Sequence, residues 1–307
     1  MDYHLKRHGD LEGVKIAEKY DSGEIESFQV EKLNIITINN IDYIPAYKFS
    51  NERKKEYPSI KLYKSGNIKS LDLEEKTAVS VVAGIFNVEK VVFYESGELK
   101  RLFPLNGKIS GYWSEEDEYK LAEEYNFNLR FTKFKSKVIS IQLYKNGNIK
   151  SITLWPKDRI NIKYNDILIN VHTGFSIYEN GELESCEPAV PVNIYTPIGN
   201  IEAYDPNSIG IHGENNSLKF NIDGTIKALT TSSNIIKIIC KKGKKISYSP
   251  KEVFLYSNST IKDIITLNLS FGNNKVIING QDKYDIDNNK FIIENFGEKK
   301  LTLTGDI

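Results

Sequence analysis

The chain has 307 residues, enough for one large domain or two ordinary ones, and its 41 Lys and Arg residues balance 41 Asp and Glu residues. A net charge of zero gives no support to nucleic-acid binding or to an anionic membrane surface, since both require a basic excess. The N-terminus has no apolar signal-peptide core, and no apolar run approaches the length of a membrane span. We therefore expect a soluble, cytoplasmic protein. Cys186 and Cys240 fit a reducing compartment, although a disulfide between them stays open.

One hairpin motif, Tyr-x-(Ser/Asn)-Gly-x-(Ile/Leu)-(Lys/Glu)-Ser, recurs along the chain. Its Ser-Gly, Asn-Gly or Asp-Gly centre supplies positive φ angles, and its flanks alternate apolar and polar residues. This pattern predicts a two-residue turn between two antiparallel strands. Well-formed copies begin at Tyr20, Tyr63, Tyr94, Tyr144 and Tyr178, and degraded copies begin at Asn221 and Tyr256.

A second turn is predicted at a nearly constant distance after each motif, because Gly or Asn recurs there between short β-rich segments. These turns are expected at Asn39, Gly84, Asn165, Gly199 and Gly243. We therefore predict an all-β fold in which repeated antiparallel β-hairpins form an elongated twisted sheet or a β-solenoid-like array. The array is expected over residues 1–249, followed by a divergent terminal repeat or cap over residues 250–307.

One helical insertion is predicted over about residues 112–137. Ser114 suits a helix N-cap, and the acidic residues that follow it suit the positive end of the helix dipole. Tyr119, Ala122 and Tyr125 would then lie on one helix face. Two interpretations stay open: a brace for the sheet, which we favour, and an acidic docking surface.

A polar, glycine-containing loop over residues 204–217 is the second irregular stretch. Loops of this kind on a rigid β scaffold often carry binding sites. Asp205, His212 and Glu214 are its candidate ligand-binding side chains. The plainer alternative is a solvated connection between repeats.

Trp113 and Trp155 are candidate stacking platforms for a sugar or a peptide, together with the rows of motif tyrosines. The competing interpretation is that the tyrosines form the wet edge of the core, with their rings packed and their hydroxyls in water. We favour this simpler interpretation and keep both indoles as candidate ligand-binding residues.

Catalytic and metal-binding patterns are not evident in the sequence, since it contains no nucleotide-binding loop, nucleophile elbow or zinc-protease helix. We therefore predict no catalytic residue, no metal site and no cofactor. His4 and His8 have an i, i+4 spacing, but in a short polar segment that makes a poor metal site. Glu182, Glu184 and Glu187 could serve a glycosidase, although solubilising residues near a hairpin turn are the simpler explanation.

The Tyr-x-(Ser/Asn)-Gly hairpins resemble those of MORN-type repeat proteins, including bacterial antitoxin-like ones. The matching positions are Tyr63/Gly66, Tyr94/Gly97, Tyr144/Gly147 and Tyr178/Gly181. The repeat in this chain is longer and less regular than a MORN repeat, and the resemblance covers the hairpins alone. It implies a scaffold or binding role and transfers no catalytic residue.

The sequence thus favours a non-enzymatic repeat protein that acts as a scaffold for a protein partner, without nucleic acid or membrane. Exposed strand edges would also allow it to form an oligomer. A carbohydrate- or small-ligand-binding β protein is the first alternative. A glycosidase-type enzyme is the second alternative, and it requires two carboxylates held at a fixed separation.

Overall fold

The computed structural model of the chain describes residues 1–48, 53, 57–106, 113–208, 216–241, 243–254 and 262–297. The fold is all-β with one short helix, as predicted. It divides into two compact units: unit 1 comprises Met1–Asp158 and Glu179–Gly181, and unit 2 comprises Arg159–Tyr178 and Glu182–Ile307. The boundary predicted near residue 250 stays a prediction.

Unit 1 is built on one antiparallel ladder. Its elements are β1 (Tyr3–Leu5), β2 (Gly9–Leu11), β3 (Val14–Lys19), β4 (Ile25–Val30), β5 (Ile36–Ile38), β6 (Ile41–Tyr43), β7 (Ile60–Leu62), β8 (Ile68–Val81), β9 (Gly84–Phe93), β10 (Leu99–Phe103), α1 (Glu115–Leu121), β11 (Glu124–Leu129), β12 (Thr132–Leu143) and β13 (Ile149–Leu154). Strands β3, β4, β7, β8, β9, β10, β12 and β13 pair in that order, and β11 pairs with the first part of β12. Two hairpins, β1–β2 and β5–β6, form separate pairs.

Unit 2 has the same plan. Its strands are β14 (Ile160–Tyr164), β15 (Ile167–Ile177), β16 (Leu183–Pro188), β17 (Val192–Thr196), β18 (Gly199–Ala203), β19 (Leu218–Phe220), β20 (Ile226–Thr231), β21 (Asn234–Cys240), β22 (Lys245–Tyr248), β23 (Lys251–Phe254), β24 (Lys262–Ile265), β25 (Leu267–Gly272), β26 (Lys275–Ile278), β27 (Asp282–Asp285) and β28 (Asn289–Asn295). Strands β15, β16, β19, β20, β25, β26 and β27 form the ladder, and β14 pairs with β15. Beside it are the sheet β22–β21–β28 and the hairpins β17–β18 and β23–β24.

The motif turns have three residues and close on a left-handed glycine, so the predicted two-residue turn is wrong. In the second copy, the Gly66 N–H donates to the Tyr63 carbonyl at 2.9 Å, and the Tyr63 N–H donates to the Asn67 carbonyl at 2.8 Å. Gly66 has a φ of +82°, whereas neither residue between Tyr63 and Gly66 has a positive φ. A two-residue type I′ turn needs positive φ at both central positions, which Lys and Ser adopt poorly. The same two hydrogen bonds close the copies at Gly23, Gly97, Gly147 and Gly224.

The predicted second turns are confirmed. They join β5 to β6, β8 to β9, β14 to β15, β17 to β18 and β21 to β22. Asn39 and Asn40 both have positive φ, as a two-residue type I′ turn requires. The seventh motif copy, which begins at Tyr256, lies largely outside the described residues.

The motif tyrosine joins one hairpin to the next. The hydroxyl of Tyr20 donates to the carbonyl of Leu62, the residue immediately before the next motif tyrosine, at 2.8 Å. Equivalent bonds of 2.8 Å run from Tyr63 to Phe93, from Tyr94 to Leu143 and from Tyr178 to Phe220. Each hydroxyl therefore holds the following hairpin at a fixed position along the ladder, which explains why the motif keeps Tyr.

Three rows of side chains cross the strands of each ladder. The apolar row is almost fully buried and forms the core: Phe28, Ile60, Leu71, Val91, Leu102, Ile141 and Ile152 in unit 1, and Phe175, Cys186, Leu218, Leu229, Leu269 and Ile278 in unit 2. The polar row lies on the opposite face, because adjacent strand residues point to opposite sides. Its polar members include Ser27, Ser70, Arg101, Gln142 and Ser151 in unit 1, and Ser185, Lys219 and Ser270 in unit 2.

The third row, which we name the anchor row, lies on the same face as the polar row, two residues away from it along most strands and four residues away along β15, where a bulge intervenes. Its members include the cross-strand pairs Asp72 with Lys90, Ser140 with Thr153, and His172 with Glu187. The pairing shifts register directly beside each of these pairs, as β-bulges do. Buried polar groups therefore meet irregular backbone at the same place in successive repeats.

The helical insertion is confirmed, with a helix that ends at Leu121. Ser114 is the N-cap: its hydroxyl accepts the Asp117 N–H, and the Asp117 carboxylate accepts the Ser114 N–H. Tyr125 lies instead in β11, where its ring packs 5.1 Å from that of Phe86. The predicted helix face shared by Tyr119, Ala122 and Tyr125 is therefore wrong. Residues 125, 127 and 129 are apolar or aromatic at every second position, which is the period of a strand.

We expect Tyr63→Phe to lower the free energy of unfolding by about 1 kcal/mol, because it removes the hydroxyl that donates to the Phe93 carbonyl and keeps the ring. Urea denaturation followed by circular dichroism measures the change. Tyr195→Phe is the matched control, since that side chain is 80% exposed, and it should change stability little. Equal effects of the two substitutions would contradict the role assigned to the motif tyrosine.

Candidate functional site

A buried carboxylate on the anchor row of unit 2 is the centre of the candidate site. Glu187 is 2% exposed and lies in β16. Ser217 donates to it twice, from its N–H at 2.7 Å and from its hydroxyl at 2.6 Å. The hydroxyl of Ser208 provides a further hydrogen bond. Ser208 and Ser217 both belong to the predicted loop over residues 204–217, so one carboxylate holds the loop at two points.

His172 extends this cluster from the opposite strand. It lies directly across from Glu187, and its Nε2 is 3.3 Å from the Ser208 hydroxyl oxygen. The tautomer of His172 decides which of these two atoms donates the proton of this bond. A chain of hydrogen bonds thus runs from the imidazole through Ser208 to the carboxylate.

The backbone beside His172 is strained. Thr173 has a φ of +62°, and among the described residues it is the one β-branched residue with positive φ. Together with Gly174 it forms the bulge that separates His172 from Phe175 in the pairing with β16. A conformation of this kind costs roughly 1–3 kcal/mol and concentrates at functional sites. The bulge orients His172 toward Ser208.

Burial changes the protonation behaviour of both titratable groups. Desolvation raises the pKa of Glu187 to about 7, Asp205 adds to the rise, and the Ser217 and Ser208 hydrogen bonds oppose it. Desolvation also lowers the pKa of His172, with a smaller contribution from Arg159. Near neutral pH the cluster therefore holds a carboxylate that is close to its protonation midpoint and a neutral imidazole.

A polar pocket of ≈ 270 Å³ borders the cluster at Ser217. Its other polar lining side chains are Asn216, Lys219, Thr230, Asn268 and Ser270. Glu187 lies behind Ser217, so it influences the pocket through that residue. The arrangement offers hydrogen-bond donors and acceptors to a small polar group.

Asp205 is the predicted ligand-binding residue that the structure brings into this cluster. Its carboxylate accepts the Asn207 N–H at 3.0 Å, and its charge acts on Glu187. The other two candidates of this loop, His212 and Glu214, lie outside the described residues. The assignment of all three to a ligand site stays a prediction.

Trp113 lies in unit 1, within a buried network of charges. Its Nε1–H donates to Glu118 at 2.7 Å, and Glu118 is the buried residue of α1. Arg53 donates to Glu118 at 2.7 and 2.8 Å and to Glu89 at 3.0 and 2.6 Å. The guanidinium thus fills the space between two carboxylates, where a glycosidase would hold its substrate.

Trp155 also lies in unit 1 and is 4% exposed. It packs with Leu105 and Ala122, and its ring meets that of Tyr119 edge-on at 5.5 Å. Its Nε1–H has no hydrogen-bond partner among the described residues. The indole braces the helical insertion and is covered by its neighbours. Its proposed role as a stacking platform stays a prediction.

Sequence reasoning missed most of the Glu187 cluster. Its members come from separate parts of the chain, and only the fold brings His172, Glu187, Ser208 and Ser217 together. One usable pattern was present: the fifth residue of the strand after each turn is polar in several copies. It is Gln29, Asp72, Thr153, Glu187 and Thr230, and all five are buried.

Other chemistry is limited within the described part of the chain. Cys186 and Cys240 are free thiols, and burial raises the pKa of Cys186. His4 pairs with Asp10 at 2.7 Å, and His8 contacts the Thr37 carbonyl. Among the described residues, no group of three or more His, Cys, Asp or Glu is placed to hold a metal ion, and no described helix is long and apolar enough to cross a membrane.

The chain was compared with protein-family models, curated proteins and solved structures, and none of them matches it.

We expect the contribution of Glu187 to the free energy of unfolding to fall as pH rises from about 4.5 to about 7. The folded chain binds this proton more tightly than the unfolded chain, so the stabilisation is complete below that window and is lost above it. The total change is about 3 kcal/mol. Glu187→Gln stays neutral and should remove it, as urea denaturation between about pH 5 and about pH 8 would show. Glu184→Gln, on the same strand, is the matched control and should keep the pH dependence of the wild type. If the free energy of unfolding depended on pH equally in all three proteins, the role assigned to Glu187 would be wrong.

We expect Arg53→Ala to destabilise unit 1 by about 3 kcal/mol, because Glu89 and Glu118 would remain buried without their cation. Lys32→Ala removes an exposed ion pair with Glu12 and should cost about 0.5 kcal/mol or less. Urea denaturation compares the two variants, and similar small losses would contradict the role of the buried network.

Proposed function

We propose that this chain is a non-enzymatic repeat protein that acts as a scaffold and binds a protein partner in the cytoplasm. One observation carries the proposal. The two segments that interrupt the repeats are each held to the sheet of their own unit by a buried carboxylate, Glu118 in the helical insertion and Glu187 beneath the loop.

Stability alone is a weak reason for such anchors. Burying a carboxylate costs several kcal/mol, and its partners do little more than offset that penalty, so apolar packing of the same size is often at least as stable. Directed hydrogen bonds instead fix the position of each inserted segment on the sheet. Arg53 makes four of them to Glu89 and Glu118, and Ser217 makes two to Glu187. Positioned segments on rigid strands are the usual places for recognition.

The exposed parts of these segments define the surfaces that a partner would contact. In unit 1, the first turn of α1 presents acidic side chains, and Glu115 and Glu116 are exposed. This surface fits a basic patch on the partner, since complementary charge speeds association and selects partners. In unit 2, Pro206 and Asn207 are exposed at the start of the loop.

Affinity capture with the immobilised full chain, followed by quantitative mass spectrometry and binding kinetics, tests the proposal. We expect Glu115→Lys or Pro206→Lys to weaken a captured partner by about tenfold, as interface residues do. Glu31→Lys and Pro191→Lys place the same charge at exposed positions of the same two units and should change affinity by about twofold or less.

Two results would overturn the proposal. One is the absence of any reproducible partner together with measurable glycoside hydrolysis by the chain. The other is a partner whose affinity is unchanged in both insertion variants, because the anchored segments would then not be the recognition surfaces.

A further inference from the structure

A second pocket of unit 2, separate from the Glu187 cluster, lies between the motif turn at Gly224 and two second turns. Its volume is ≈ 420 Å³. Ligand sites commonly enclose roughly 300–1,000 Å³, so the pocket has room for one small ring. Its walls include Tyr164, Asn165, Ile167, Tyr195, Pro197 and Asp223.

Tyr195 presents its ring to solvent at this pocket. It lies in β17 between Ile194 and Thr196, which are both buried, so strand alternation directs its side chain outward. Its exposure is 80%, the highest among the exposed large hydrophobic side chains of the described chain. An aromatic face left open in this way is available for stacking.

Tyr164 forms a fixed wall of the same pocket. Its hydroxyl donates to the Gly224 carbonyl at 2.9 Å, and its ring lies 4.3 Å from that of Phe220. Both contacts hold the side chain in one orientation. The pocket therefore has a preformed aromatic wall, and little entropy is lost when a ligand packs against it.

Asp223 supplies a negative charge at the rim. Its carboxylate accepts the Thr225 N–H at 2.9 Å and the Thr225 hydroxyl at 2.6 Å, and these bonds hold its pKa below the usual range. The side chain is exposed and is ionised at neutral pH, so it can accept hydrogen bonds from a ligand. Asn165, exposed on the neighbouring turn, adds an amide that both donates and accepts.

We propose that this pocket binds a neutral or amino pyranose sugar. A pyranose has one face of C–H groups, which would stack on Tyr195, and a rim of hydroxyls, which would donate to Asp223 and exchange hydrogen bonds with Asn165. The charge of Asp223 disfavours uronic acids, sialic acids and phosphorylated sugars, because none of the described residues that line the pocket is a Lys, Arg or His that could balance it.

The corresponding pocket of unit 1 provides an internal comparison. It measures ≈ 380 Å³ and lies between the motif turn at Gly97 and the second turn at Asn39. Its lining carries Arg7 and Glu98 among other charged residues, and its aromatic residue, Phe93, is 1% exposed. The same place in the repeat therefore has an open aromatic face in unit 2 and charged walls in unit 1.

The test uses the labelled full-length chain on a glycan array, followed by saturation-transfer NMR titrations with methyl glucopyranoside, methyl galactopyranoside, methyl mannopyranoside and N-acetylglucosamine. We expect binding of at least one neutral or amino sugar. Tyr195→Ala should weaken it by about tenfold, whereas Tyr195→Phe keeps the ring and should stay within about twofold. Asp223→Asn should also weaken binding, through loss of the charge. Leu168→Ala, at an exposed apolar residue beside Ile167, is the matched control and should have no effect.

Three outcomes would overturn this inference: no signal on the array or in the titrations at millimolar sugar, equal binding by Tyr195→Ala and the wild type, or a preference for anionic sugars. Thermal denaturation of each variant shows whether it is folded, and a change at an exposed side chain should leave the midpoint nearly unaltered. The result is independent of the protein-partner proposal, because the pocket shares no residue with Glu115 or Pro206.

Discussion

The hydrogen bond from a motif tyrosine to the carbonyl before the next motif is the contact on which the repeat architecture depends. A slip of one residue would expose the apolar face, so the alternation excludes it, whereas a slip of two residues would keep that face buried. The tyrosine removes that freedom, because its hydroxyl reaches one carbonyl of the next hairpin. The charges of successive turns support the same register, since neighbours have opposite signs: Asp21, Lys64, Glu95, Lys145 and Glu179.

The anchor row shows how the scaffold accommodates segments that do not repeat. A bulge breaks the pairing beside each polar pair of that row, which leaves space and unpaired backbone on one face of the sheet. Glu89 lies in such an irregularity in unit 1 and binds Arg53, which also binds the helical insertion through Glu118. In unit 2, Glu187 lies on the anchor row itself, opposite His172 and beside the bulge at Thr173 and Gly174, and it accepts hydrogen bonds from Ser217 of the loop. In both units a buried carboxylate beside a ladder irregularity therefore holds a segment that does not repeat.

Much of the scaffold was predictable from the sequence, because its determinants are local. Spacing and alternation identified the hairpins, the second turns and the N-cap at Ser114. The turn type was wrong because a Ser-Gly or Asn-Gly pair is compatible with two loop lengths, and the φ of the residues before Gly66 decides between them. The buried network of Arg53 could not be predicted from local sequence, because its two partners, Glu89 and Glu118, are 36 and 65 residues away along the chain. The Glu187 cluster was missed because a glutamate near a hairpin turn has the same local sequence whether it faces solvent or the interior.

The turns combine a strict backbone with unrestricted side chains, and this combination explains why pockets at equivalent places differ. The motif turn depends on the glycine and on two main-chain hydrogen bonds, so the residues around it can change without loss of the fold. The sixth copy has Asn221 where the others have tyrosine, yet its main-chain bonds are intact. In this copy the tyrosine that contacts the turn comes from another part of the chain. Tyr164, on a second turn, donates to the Gly224 carbonyl and packs against Phe220. Tyr164 thus supports the turn in place of a motif tyrosine, and its ring forms an aromatic wall of the pocket. In this way a structural repeat can acquire a binding surface while its scaffold stays unchanged.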